Sequence, residues 1–397
     1  MLSTVTARYA AFFRQPDVRR LVVMALIARM PLGTVNLATL LHVRALTGSY
    51  AIAGATVGAC LAAAAVTAPF VGRFIDRNGA RLVLLVTGIV YPAMLLLIWL
   101  AAPLALPVAA IWTIAAIAGA FAPPIPVLTR TMWRHRFDDA RQRSTAFAVD
   151  SVTIEFVFTA GPALIALLLA IGSPVVAFGA AVFFATIAVP VFAASPAMRY
   201  LQHDRTPERH LLGPLTEGRL LVVYATTLLT AFSLGLLEVA YPGFATQTGR
   251  PPMAGILIAV NSFGSAAGGL LYGGMHLALP VEKQIRRLLV ILALSLAVQA
   301  AISSVGLLLV AAFFAGLCIA PTVTIATLLV STYAPRRYAT EAFTWSTTSI
   351  VTGIGAGNAL GGLLVERHGA SLVFLASAAA ALVASVCASA LRPAGHR

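Results

Sequence analysis

Charge is what this sequence has least of. Of its 397 residues 10% are charged and 60% hydrophobic, and the mean hydropathy is +0.92. Ordinary soluble domains carry about 25% charged and 45–50% apolar residues. A soluble protein of this length could not cover its surface with so few charges, so the composition excludes a soluble enzyme, a disordered chain and a nucleic-acid-binding domain. Acid is scarcer than base, with 13 Asp and Glu against 27 Lys and Arg, and Lys283 is the one lysine. Cysteine is rare too. Cys60, Cys318 and Cys387 lie far apart inside apolar stretches with no C-x-x-C, so neither a disulfide framework nor a metal site is expected. There is no G-x-x-x-x-G-K-S/T loop, which argues against ATP drive, and no H-E-x-x-H or G-x-S-x-G. The seven histidines fall at or near the ends of apolar runs. With no clustered catalytic set, the chain reads as a non-enzyme without a cofactor. No segment resembles a selectivity filter.

Long apolar runs are what the sequence has instead. A helix crossing about 30 Å of hydrocarbon needs roughly 20 apolar residues. Twelve such runs occur, at 21–43, 50–72, 82–101, 107–130, 144–171, 174–194, 220–242, 253–275, 288–304, 306–332, 342–365 and 371–391. They do not alternate, which excludes a β-barrel. The first is too long and too poorly flanked to be a cleaved signal peptide. The expected fold is all-α and integral to a membrane: a cytoplasmic leader (1–20), a six-helix bundle (21–194), a cytoplasmic linker (195–219), a second six-helix bundle (220–391) and a cytoplasmic tail (392–397). The basic leader, with Tyr9, Phe12 and Phe13, is expected to form a short helix on the membrane surface. Trp99 and Trp133 read as interfacial anchors.

Charge placement fixes the orientation. With the N-terminus inside, 23 basic residues fall on the cytoplasmic side, and Arg44, Arg250 and Arg367 on the other. That is a positive-inside bias, and it assigns the basic excess to orientation and anionic lipid, with no nucleic-acid partner.

The two halves echo one another. Ala53-Gly54 and Gly72 match Ala254-Gly255 and Gly273 at an offset of 201. Ala118-Gly119 and Pro124 match Ala315-Gly316 and Pro321 at 197, and Ala146-Phe147 and Gly161 match Ala342-Phe343 and Gly357 at 196. Two parallel repeats suggest a transporter that rocks one half against the other. Pro31, Pro123, Pro124, Pro126, Pro162 and Pro321 are expected to interrupt helices, and to serve as hinges or expose carbonyls to the cavity.

Between the second and third runs lies Gly72-Arg73-Phe74-Ile75-Asp76-Arg77-Asn78-Gly79-Ala80-Arg81. This resembles the signature loop of the major facilitator superfamily, G-x-x-x-D-R-x-G-x-R/K, in the position where that family keeps it. Gly72 permits close helix approach, Asp76 suits the positive end of a helix, and Gly79 permits a tight turn. The resemblance implies a conformational latch made by Gly72, Asp76, Arg77, Gly79 and Arg81, with Asp76 meeting the start of the eleventh span near Thr340-Glu341. It also implies a monomer. The second-half counterpart has Leu277 at the acid's position. Two other family patterns fit poorly: the fourth span lacks an arginine in its outer half, and of the antiporters' glycine-rich fifth-span stretch only Thr159-Ala160-Gly161-Pro162 is present.

The spans are almost free of ionisable groups, so the exceptions are functional candidates. Arg29 lies about 13 Å inward of Arg20, Glu155 about 18 Å inward of Arg143, and Asp150 about 10 Å inward, at ~1.5 Å per residue. A carboxylate in a water-poor cavity can titrate near neutrality. Glu155 is therefore the leading candidate to take and release a coupling proton, Asp150 the second, and Arg29 their cavity charge partner. A permanent Arg29–Glu155 or Arg130–Asp150 pair is the structural alternative. Asn36, Tyr91, Glu238, Asn261, Trp345 and Asn358 are candidate substrate contacts, with Tyr224 beside them. Each asparagine reads more readily as a packing or interhelical hydrogen-bonding group, and Glu238 as a group solvated at the interface. Glu341 and Glu366, at span ends, are expected to be solvated.

These readings point to a secondary transporter of a small solute, with proton-driven efflux of a drug-like or metabolite substrate favoured. Proton-coupled uptake of a metabolite and translocation of an amphipathic lipid are the alternatives. The partners expected are the solute, protons and the bilayer. The alanine- and arginine-rich composition suggests a bacterial inner membrane, with both termini cytoplasmic.

Overall fold

In a computed structural model, which describes residues 2–201, 213–250, 253–275 and 279–391, every described element is helical and no strand occurs among the described residues. The tail 392–397 and much of the linker, together with Leu277, lie outside the described residues. A short helix, α1 (Leu2–Phe13), precedes α2 (Pro16–Thr47), α3 (Tyr50–Asn78) and α4 (Ala80–Trp99). The fourth span is broken into α5 (Val108–Ala120) and α6 (Ile125–Arg136), and α7 (Ala140–Ile171) and α8 (Pro174–Ala193) follow. Beyond the linker come α9 (Gly218–Gln247), α10 (Met253–Gly274), α11 (Val281–Ala300), α12 (Val305–Tyr333), α13 (Ala339–His368) and α14 (Ala370–Ala388).

Each of the twelve apolar runs is occupied by helix. Eleven of the resulting segments are long and apolar enough to cross a membrane. The exception is α11, whose first two turns carry Glu282, Lys283, Arg286 and Arg287. Helix starts follow from local chemistry. The Ser49 and Ser173 hydroxyls accept from the amides of Ile52 and Val176, and Pro16 and Pro174 open their helices, where a missing N–H costs nothing.

The prolines behave differently from expectation. Only the Pro123–Pro124 pair coincides with a break, between α5 and α6. Pro31, Pro162 and Pro321 lie inside continuous helices. Packed neighbours let a spanning helix tolerate a lost amide. Pro126 is in the first turn of α6, where no intrahelical donor is needed.

By contacts the chain forms two compact units. One comprises Met1–Phe12, Phe137–Glu155 and Arg209–Arg397, and the other Phe13–Arg136 and Phe156–Glu208. The boundary cuts α7 between Glu155 and Phe156. The core of the first unit gathers Leu236, Tyr241, Phe244, Leu292, Leu296 and Phe374. That of the second gathers Val35, Leu95, Ile98, Ile111 and Phe178 around Tyr91. Large apolar side chains such as Phe70, Ile89, Phe183, Phe263 and Leu294 remain exposed, as a hydrocarbon solvent requires.

The sequence repeat reappears as matched contacts. A Cβ on Gly119 would lie 1.9 Å from the Cys60 carbonyl oxygen, and one on Gly316 would lie 2.1 Å from that of Asn261. Cys60 and Asn261 are separated by 201 residues, the offset of the second and eighth spans. Likewise Gly161 abuts Gly33 in the second unit, and Gly357 abuts Phe232 and Gly235 in the first. Side chains are absent where helix backbones touch.

Three further expectations are corrected. The leader helix does not merely rest on lipid: Phe12 is buried with its ring 5.6 Å from that of Phe137, and the Tyr9 hydroxyl donates to the Leu270 carbonyl at 2.8 Å. Burial pushes the Tyr9 hydroxyl up to about 12. Trp133 is no interfacial anchor, being 1% exposed inside the second unit. Glu341, also 1% exposed, is not solvated; its carboxylate packs where a Gly213 side chain would otherwise be, 2.8 Å from that Cβ position.

A polar knot ties together one end of the second unit. Arg136 Nε donates to Asp17 Oδ2 at 2.7 Å, its Nη2 donates to Gln15 at 2.7 Å, and the Tyr200 hydroxyl donates to the same Asp17 oxygen at 3.0 Å. Partial burial, then the bond to Asp17, pushes the Tyr200 hydroxyl up. Charge-assisted bonds of this kind contribute about 1.5–3 kcal/mol. Asp17→Ala is expected to cost on that order and to lower the melting temperature in detergent, measured by thermal-shift fluorescence. Tyr200→Phe should cost less, because the ion pair survives it.

Candidate transport site

The amino-terminal part of α7 carries the candidate carboxylates on two faces. One face repeats every three or four residues through Thr145, Ala148, Ser151, Val152 and Glu155, the spacing of a helical stripe. Within the first unit this stripe lies on α10 and α12. The Thr145 hydroxyl donates to the Gly273 carbonyl at 3.2 Å, and Ala148 fills the space a Gly273 side chain would take. Ser151 and Thr324 hydroxyls are 3.1 Å apart, and Val152 packs on Gly269. At the inner end Ser265 donates its hydroxyl to Glu155 Oε1 at 2.8 Å. The repeat-matched rings of Phe147 and Phe343 meet edge to face at 6.2 Å.

Glu155 is half-buried. Asp150, five residues earlier, is about 140° around the helix and 3% exposed. The two carboxylates therefore face different neighbours. On α9, Glu238 is an exposed carboxylate that accepts from the Asn358 amide at 3.3 Å. These two candidates are thus brought together. Trp345 is half-buried on α13, and its indole N–H has no acceptor among the described residues. Asn261 spends its amide on the Ala312 carbonyl at 2.9 Å, tying α10 to α12, and the Tyr224 hydroxyl donates to the Ala342 carbonyl at 3.1 Å.

In the second unit Arg29 is 1% exposed on α2. Asn36 lines a cleft of about 10 Å³ with Thr39, Cys60 and Leu95, while Tyr91 belongs to the apolar core. In the signature loop Gly72 is buried and Asp76 half-buried, and Arg77 and Arg81 are exposed. Gly79 ends α3 at φ +85° with its amide on the Ile75 carbonyl, a left-handed conformation that suits glycine.

Sequence reading missed Ser265, Ser151 and Thr324, since hydroxyl residues in spans are common and carry no signal alone. It also missed Gln299, which is fully buried with its amide on the Ala311 carbonyl at 3.4 Å. A lone glutamine in an apolar run is a detectable signal. No group of three or more His, Cys, Asp or Glu side chains suited to a metal occurs among the described residues.

The model of the Major Facilitator Superfamily matches the chain twice, over residues 21–222 and 223–397. No curated protein matches it significantly in sequence. Among solved structures, a bacterial homologue of the iron transporter ferroportin in its outward-facing state superposes with a TM-score of 0.78 at 12% identity, over 94% of this chain and 98% of that one. The human organic anion transporter MFSD10 (TETRAN) gives 0.69 at 18% identity, over 94% and 100%. The proton:xylose symporter XylE gives 0.67 at 13%, over 93% and 94%. At these identities the likeness concerns the fold. The family match spans essentially the whole chain, and with its helices and signature loop it makes this protein a multi-pass membrane transporter belonging to the Major Facilitator Superfamily.

Proposed function

We propose that the protein exports a small drug-like or metabolite solute in exchange for protons, by alternating access, with Glu155 as the group that takes and releases the proton. The observation that carries this reading is the setting of Glu155. It is a half-buried carboxylate deep in a span, with one oxygen held by the neutral hydroxyl of Ser265. A charge at mid-bilayer costs at least about 2.5–3.5 kcal/mol, so a carboxyl group there is best carried through the membrane neutral. A neutral donor steadies it without fixing its charge. Asp150 is the second proton candidate and Arg29 the buried cation that competes for the carboxylates.

The apolar character of the spans suits a drug-like solute. Its polar contacts would be few, with the Trp345 indole N–H and the Glu238–Asn358 pair the best placed, and Asn36, Tyr91 and Asn261 behind them. The repeats 21–194 and 220–391 are the moving parts in this reading, and the signature loop is the latch between states. Asp76→Asn is expected to slow transport about tenfold, the size of a typical coupling between two conformations, while leaving solute binding in detergent unchanged. The arginine distribution supports cytoplasmic termini in a bacterial inner membrane, and a monomer suffices for the mechanism.

The test is a pH-gradient quench assay in inverted vesicles, challenged with a panel of hydrophobic drugs and small metabolites. Export predicts that some compound collapses the gradient in vesicles holding the protein and not in empty ones. Labelled metabolite uptake or lipid flipping with no gradient response would overturn it.

A further inference from the structure

The orientation of α10 is fixed by its contact with α12. A Cβ on Gly264 or Gly268 would lie 2.3 Å or 2.1 Å from the carbonyl oxygens of Phe313 and Leu317. Across the same seam Gly316 abuts the Asn261 carbonyl, and the Asn261 amide holds that of Ala312 at 2.9 Å. Backbone against backbone, with no side chain to yield, leaves α10 little freedom to roll. Ser265, between the two contact glycines, is therefore aimed in one direction. It is 1% exposed, and its hydroxyl meets Glu155 Oε1 at 2.8 Å.

Two other polar contacts along the α7 stripe are neutral. Thr145 meets a backbone carbonyl and Ser151 meets Thr324. The Glu155–Ser265 bond differs from these in that its strength depends on a proton. A serine hydroxyl donates to a carboxylate in a charge-assisted bond, and rotates to accept from a carboxylic acid in a weaker, neutral one.

We propose that Ser265 is the positioning residue for Glu155: held by the α10–α12 seam, it orients the carboxylate and ties its protonation to the grip of α7 on α10. The deprotonated carboxylate tightens the inner end of the stripe and the protonated one loosens it, so the proton bears on the packing of the fifth span as well as on charge. This rests on Glu155 being the titrating group. The charged groups to reckon with are Glu238 on α9, Asp150 on another face of α7, and the buried Arg29 on α2, whose Gly33 abuts the Val157 carbonyl of α7. Neither α10 nor α12 contains an acidic or basic residue.

The test needs no substrate. The full-length protein in phosphatidylcholine liposomes is treated with dicyclohexylcarbodiimide, which reacts with protonated carboxyl groups in apolar surroundings. Labelling of Glu155 is followed against pH by peptide mass spectrometry. Removing a donor from the charged form favours the acid, so Ser265→Ala is expected to move the labelling midpoint to higher pH by about one unit, a tenfold change in proton affinity of the size a charge-assisted bond supports. Ser265→Thr should restore the native profile, and Ser265→Cys, a weaker donor, should fall between. If Ser265→Ala folds poorly, the Cys and Thr profiles carry the test. Glu155 labelling that titrates identically in all variants overturns the role of Ser265 and leaves Glu155 as the proton group. An absence of titration in the native protein overturns both.

Discussion

Replacing Glu155 by glutamine is expected to abolish proton-driven accumulation while sparing exchange of solute for solute. Glutamine has the shape of a protonated glutamate and can still hydrogen-bond the Ser265 hydroxyl, which lies 2.8 Å from Oε1 in the native chain. It cannot give up a proton. A carrier locked in the neutral form can still reorient with solute bound, so labelled and unlabelled solute should exchange at near-native rates. The proton gradient should no longer pull solute across, and net accumulation should fall to that of empty vesicles. Asp150→Asn separates the two carboxylates. It lies on a different face of α7 and is 3% exposed. Its loss should lower the amount of folded protein, with coupling retained in what remains. If Asp150→Asn uncouples transport and Glu155→Gln does not, the roles are reversed.

The second large effect concerns the fold. Gly119→Val and Gly316→Val should each prevent recovery of folded protein. The added Cβ alone would sit 1.9 Å and 2.1 Å from main-chain oxygens of Cys60 and Asn261. Overpacking a core with side chains costs about 1–3 kcal/mol because neighbours rotate aside. Here the neighbour is a helix backbone, which can yield only by moving the whole helix. The cost should exceed that range and appear as loss of the monodisperse peak in size-exclusion chromatography. Gly54→Ala and Gly255→Ala are the matched controls. They belong to the same sequence repeat, but a Cβ there meets nothing within 4 Å, and both variants should behave as native. Equal damage at all four positions would show that sequence matching alone, and not close approach, marks the important glycines.

That contrast also shows how far the sequence could be read. Twelve spans were legible because hydrocarbon demands long apolar runs, and the bounds shifted mainly where polar ends prolong a helix, as at Glu282–Arg287 of α11. The repeat was legible in the order of its matches. Which glycines touch a neighbour was not, since Gly54 and Gly119 look alike in sequence. Glu155 stood out because charge is rare in the spans. Its partner Ser265 did not, because a serine among glycines reads as ordinary helix packing. Glu341 was misread from its place at a span end; it is 1% exposed and lies against Gly213, far away in sequence, and no local pattern announces that. Pro31, Pro162 and Pro321 were misread because local propensity breaks helices that tertiary packing keeps whole.

The most direct test of the central claim is proton release on solute binding. Purified protein in weakly buffered detergent, with a pH-sensitive dye, is mixed with a compound found by the vesicle screen. Native protein should release protons on mixing, with a yield that falls as the starting pH rises and Glu155 is already ionised. Glu155→Gln should bind the compound and release none. Release of equal size from the native protein and Glu155→Gln would contradict the account and move the coupling group elsewhere.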